Sequence, residues 1–67
     1  MIRITLKEAL EARGMTRYEL AKMTGIQYQI IDKYYKDRVI RYDSFVLDRI
    51  CSALSCQIGE LLRYTEQ

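Results

Sequence analysis

The 67-residue chain contains no histidine, proline or tryptophan, only two cysteines, three glycines and a single phenylalanine. Each scarcity narrows what the protein can do. Without histidine, the commonest general base and the commonest metal ligand are both missing. Two cysteines, Cys51 and Cys56, fall short of the four ligands a structural zinc site takes, so neither a metal nor another cofactor is expected. A disulfide between them stays open, but small secreted scaffolds use several bridges, and two reduced, largely buried thiols are the expectation. The chain has no glycine-rich phosphate loop and no set of carboxylates on one face, so an enzyme is not expected. It also has no repeat, low-complexity stretch or flexible linker, and residues 1–67 read as one domain. No apolar run approaches the roughly 20 residues of a membrane span, no signal-peptide pattern opens the chain, and 30% of the residues are charged. A cytoplasmic protein with no membrane partner is the expectation.

What is present is leucine-type periodicity and an uneven charge. Residues 1–42 hold nine Lys/Arg against five Asp/Glu, whereas residues 43–67 hold two against four. A basic front and an acidic back suit a polyanion on one side. Leu6, Ala9, Leu10 and Arg13 follow helical spacing between Thr5, a suitable N-cap, and Gly14. Thr16-Arg17-Tyr18-Glu19 is a capping box, which opens a second helix that ends at Gly25 and buries Leu20, Ala21 and Met23. A third helix covers roughly residues 27–36, and residues 37–42 form a polar, basic connector. A fourth starts near Asp43, with Leu47, Ile50, Cys51 and Leu54 on one stripe. A last short helix carries Ile58, Leu61 and Leu62. Ile2-Arg3-Ile4 is the only strand-like segment and is too short to build on, so the expected fold is all-α with five helices.

On a wheel of about 100° per residue, Gln27, Ile30, Ile31 and Tyr34 share one side of the third helix, with Tyr35 at its edge. Tyr28, Gln29, Asp32, Lys33 and Lys36 occupy the opposite arc. That arc is either an ordinary solvated face or a contact surface of definite chemistry. Glutamine amides match adenine edges, lysine matches guanine acceptors, and a tyrosine meets a thymine methyl or a phosphate.

The segment TRYELAKMTGIQYQIIDKYYKD resembles the helix-turn-helix of the Cro/phage-repressor (Xre) family, with Thr16, Glu19, Leu20, Ala21, Gly25, Ile26 and Ile31 at matching places. The residue types have physical reasons: Ala21 is small where two helices cross, Gly25 permits a positive φ, and Ile26 and Ile31 bury the joint. SFVLDRICSALSCQIGELLRY resembles the family's C-terminal pattern, so the likeness covers nearly the whole chain. It implies a five-helix, lambda-repressor-like DNA-binding domain in which helices 2 and 3 form the motif and helix 3 lies in the major groove.

By that resemblance, the base-reading places fall on Tyr28, Gln29, Asp32 and Lys33. Asp32 would accept from a cytosine amino group or orient Lys33. The phosphate-contacting places fall on Arg17, Gln27, Lys36, Arg38 and Arg41. Two departures stand out. Gln27 occupies the helix start where the family often has Ser or Thr, and it is a poorer cap. Leu10 and Tyr35 stand where many members pair an arginine with a glutamate, so a packing contact replaces the ion pair. Ile30, apolar where a small hydroxyl residue is usual, either packs beside Tyr34 or reaches a neighbouring chain or a thymine methyl. The implied partner is a double-stranded DNA operator, bound as a homodimer. Phe45, Val46, Leu62 and Tyr64 either form the dimer surface or complete the monomer core. The competing function is an antitoxin-like protein-interaction module of the same fold.

Overall fold

The computed structural model describes residues 1–66. Four α-helices follow a short strand, and a second strand comes after them: β1 (Ile2–Ile4), α1 (Leu6–Arg13), α2 (Arg17–Thr24), α3 (Tyr28–Tyr35), α4 (Ser44–Leu54) and β2 (Leu62–Tyr64). The core gathers Leu6, Ala9 and Leu10 from α1, Leu20 from α2, Ile31 and Tyr34 from α3, and Val46, Ile50 and Leu54 from α4. Ile4, Ile26 and Leu61 complete it. Val46 therefore belongs to the interior, whereas Phe45 and Tyr64 are exposed and Leu62 is half-buried. No helix among the described residues is long and apolar enough to cross a membrane.

Local chemistry sets the helix ends. Gly14 and Gly25 both adopt left-handed φ, at 61° and 72°, which only glycine does without a Cβ penalty. The Thr16 hydroxyl accepts from the Glu19 N–H at 3.0 Å while the Glu19 carboxylate accepts from the Thr16 N–H at 2.9 Å, so the capping box is formed. Asp43 caps α4 by accepting from the Phe45 and Val46 N–H groups. Thr5 behaves differently from the expectation. It stands at the N-cap of α1, yet its hydroxyl donates to the Glu60 carbonyl at 2.6 Å instead of capping the helix.

The chain end departs from the expected fifth helix. Ile58–Glu60 makes a single 3-10 turn, and the residues beyond it extend into β2. The spacing of Ile58, Leu61 and Leu62 resembles a helical repeat because one turn does bring Ile58 and Leu61 together, the Leu61 N–H donating to the Ile58 carbonyl at 2.9 Å. β2 then pairs antiparallel with β1, Ile2 opposite Tyr64, Arg3 opposite Arg63 and Ile4 opposite Leu62. The segment too short to stand alone becomes a strand because a distant partner supplies its hydrogen bonds. A two-stranded sheet is marginal by itself, and here Ile4 and Leu61 anchor it in the core.

One side chain expected inside lies outside. Met23 is exposed, because Leu20 and Thr24 set the buried stripe of α2 and Met23 falls about a third of a turn away. Thr24 takes the interior place. Its hydroxyl donates to the Leu20 carbonyl at 2.8 Å and accepts from the Ile26 N–H at 3.2 Å, closing the turn into α3. Ile30 also faces solvent, and Gln27 with it. The two cysteines are free thiols, both half-buried where largely buried thiols were expected. Burial, and after it the neighbouring Cys51, pushes the Cys56 thiol up from its ordinary value.

Candidate nucleic-acid interface

α2, the Gly25 turn and α3 form one bihelical unit whose inner side is Leu20, Thr24, Ile26, Ile31 and Tyr34. With that side fixed, the geometry of an eight-residue helix decides what α3 presents outward. Tyr28, Gln29, Ile30, Lys33 and Lys36 are exposed, and Asp32 and Tyr35 lie at the margin. The first turn of α3 opens at Gln27, whose side chain makes no capping bond. Only its carbonyl is engaged, accepting from the Ile30 and Ile31 N–H groups at 3.0 and 3.2 Å.

Arg17, the first residue of α2, crosses to α3. Its guanidinium donates to Asp32 Oδ1 at 2.5 Å and lies 4.3 Å from the centroid of the Tyr35 ring and 6.0 Å from that of Tyr28. The other Asp32 oxygen meets Lys36 Nζ at 3.1 Å, one helical turn on. The Lys36 ammonium first, with help from Arg17, holds the Asp32 carboxyl below its ordinary range, outweighing the opposing effect of desolvation. Tyr35 thus has two duties: one face packs on the core cluster that includes Leu10, and its ring carries Arg17. The replacement of an ion pair at these places by packing accounts for only part of it.

The residues singled out from sequence fall into three groups. Arg17, Asp32 and Lys36 are brought together, and the acid sits with Arg17 and Lys36 rather than with Lys33. Tyr28, Gln29 and Lys33 share the open face. Arg38 and Arg41 lie exposed in the loop after α3, and among the described residues the side chains of Lys33, Arg38 and Arg41 make no ion pair.

Sequence reasoning passed over two further residues here. Tyr18 is exposed on α2 with its ring 6.4 Å from that of Tyr28, so the aromatic surface continues across both helices. A ten-residue separation across a turn carries no periodic signal. Asp37 adopts φ 57°, accepts from the Ile4 N–H at 3.1 Å and pairs with Arg3 at 2.8 Å. It thereby ties the end of α3 to β1, and Arg3, Lys7, Lys36 and Arg38 line the groove beside it. Left-handed φ is tolerated by Asp, which was the available clue.

A family model for the Cro/C1-type HTH DNA-binding domain matches residues 5–67. A comparison with curated proteins gives no match.

Proposed function

The chain belongs to the Cro/C1-type helix-turn-helix DNA-binding domain family, and on that premise we propose a regulator that binds double-stranded DNA by sequence, with α3 in the major groove. Residues 1–67 act as a single binding domain rather than an enzyme. Tyr28, Gln29 and Lys33 read base edges; Gln27, Lys36, Arg38, Arg41 and Arg17 meet phosphates and fix the register. Supporting this division is one observation: the open face of α3 carries donors and a cation without ion-pair partners, while Ile31 and Tyr34 hold the opposite face. A cytosine contact by Asp32 would compete with the two cations that already engage it.

A helix of this length reads few base pairs, so the protein binds as a homodimer on two half-sites about one helical turn apart. Phe45 is exposed with Arg49 5.0 Å from its ring centroid, a hollow lined by Ser44, Leu47, Asp48, Cys51 and Ile58 opens along the same helix, and we assign the dimer contact to this part of α4. The same patch favours the competing reading, a protein-interaction module of this fold.

Selection of bound duplexes from a random pool tests the proposal directly. A recovered pair of half-sites is expected, and affinity for it falls steeply with salt in proportion to the phosphates met. Gln29→Ala or Tyr28→Ala weakens the selected duplex by about 1–3 kcal/mol and a scrambled one little. Equal loss on both would overturn base reading by these residues. A module that works through protein contacts alone recovers no sequence and holds no duplex at low salt.

A further inference from the structure

Asp32 is the one acid on the outer side of α3, and it sits between two of the cations that a phosphate backbone would call on. Arg17 is doubly held, by the carboxylate at 2.5 Å and by the Tyr35 ring at 4.3 Å. Lys36 approaches the other carboxylate oxygen at 3.1 Å. All three remain partly open to solvent, with side chains 32%, 23% and 45% exposed for Arg17, Asp32 and Lys36. A phosphate arriving here finds an oxyanion already in place on both cations.

Resting on the DNA-binding reading above, we infer that Asp32 is a specificity-determining residue: it withholds Arg17 and Lys36 from sequence-independent phosphate binding. Cations pinned in one arrangement meet a phosphate only when α3 lies in one register, the register that the base contacts of Tyr28, Gln29 and Lys33 fix. Cations released from Asp32 follow phosphates in any register. Sequence-independent affinity comes almost wholly from such phosphate contacts, so freeing two cations raises it strongly. The registered complex already has its geometry prepared and gains less. What matters to a DNA-binding protein is the ratio of the two affinities, and Asp32 acts on that ratio. It is a positioning residue, working through Arg17 and Lys36.

The test uses the whole chain and fluorescence anisotropy on two labelled duplexes, one selected with the wild-type protein and one of random sequence, over roughly 50–200 mM salt. Asp32→Asn is expected to bind the random duplex about tenfold tighter, with a salt slope steeper by about one, as one or more further phosphates are neutralised. Its gain on the selected duplex is smaller. Glu11→Gln, which removes an exposed acid on α1, controls for net charge and shifts both duplexes little and equally. In an Arg17→Gln background the effect of Asp32→Asn shrinks, because only Lys36 is left to release. Asp32→Ser repeats the measurement with a second neutral side chain, and melting curves confirm that each variant is folded.

The inference is overturned if Asp32→Asn matches Glu11→Gln, if it strengthens both duplexes by the same factor, or if its effect is undiminished without Arg17. A wild-type protein that binds duplex while Asp32 proves inert overturns this inference alone. Failure of the wild type and of every Asp32 variant to bind any duplex removes the DNA-binding reading, and this inference with it.

Discussion

The two ends of α3 are built on opposite plans. At its C-terminal end everything is fastened. The Tyr34 hydroxyl accepts from the Asp43 N–H at 3.0 Å, the Arg38 N–H donates to the Lys33 carbonyl at 3.0 Å, and Asp37 holds both the Ile4 N–H and Arg3. At its N-terminal end, Gln27 makes no side-chain cap, and Tyr28, Gln29 and Ile30 face solvent. A helix start holds free N–H groups that a cap would satisfy; leaving them open costs stability and leaves them available. The helix is thus anchored where it meets the rest of the fold and left uncapped at its exposed start.

The contrast can be broken most severely from the middle. Ile31 is fully buried and serves both ends, so Ile31→Ala is expected to cost about 2–5 kcal/mol in chemical denaturation. Its neighbour Ile30 is exposed, and Ile30→Ala is expected to stay within about 0.5 kcal/mol. Next in size is the fastened end. Asp37→Ala removes the acceptor for the Ile4 N–H and places alanine at a left-handed φ, for an expected loss of about 1–3 kcal/mol. Asp37→Asn, which keeps an acceptor and tolerates that φ, loses less. At the open end the sign reverses. Gln27→Ser supplies the missing cap and stabilises by up to about 1 kcal/mol, visible as slower hydrogen exchange in the first turn of α3.

The smallest effect concerns pH. The Asp32 carboxyl is held below its ordinary value in the fold. Its contribution is therefore complete above the unfolded carboxylate pKa, about 4, and is lost as pH falls through the lower folded value. The melting temperature of Asp32→Asn should approach that of the wild type as pH drops through this acid window. A constant gap between the two would show that the carboxylate pairs add nothing to stability.

What could be read from sequence was what depends on near neighbours. Thr16 and Glu19 are three residues apart and announce their capping box; Gly14 and Gly25 announce turns. The Arg17–Asp32 pair has no such spacing, since the Gly25 turn must first fold the two helices together. β1 and β2 were missed for the same reason on a larger scale. Three residues carry too little pattern, and their partner lies at the other end of the sequence. Met23 and Ile30 illustrate a subtler limit. On helices of eight residues the stripe spans two turns, and a residue on its shoulder reads equally well as inside or outside. For the places proposed to read bases and meet phosphates, the sequence supplies residue types and the fold supplies their exposure.

The β1–β2 pairing also acts at long range along the chain. Met1 and Thr65, 64 residues apart, exchange hydrogen bonds, the ammonium donating to the Thr65 carbonyl at 2.6 Å and the Thr65 N–H to the Met1 carbonyl at 2.8 Å. Helical hydrogen bonds join near neighbours, whereas this closure joins residues at opposite ends of the described chain and carries the larger loop-closure cost. Were β1 to lift away, the Ile4 N–H and Arg3 would leave Asp37 with it, and the loop bearing Arg38 and Arg41 would lose one of its tethers while keeping the Tyr34–Asp43 bond. The two-stranded sheet thereby bears on the loop that follows α3.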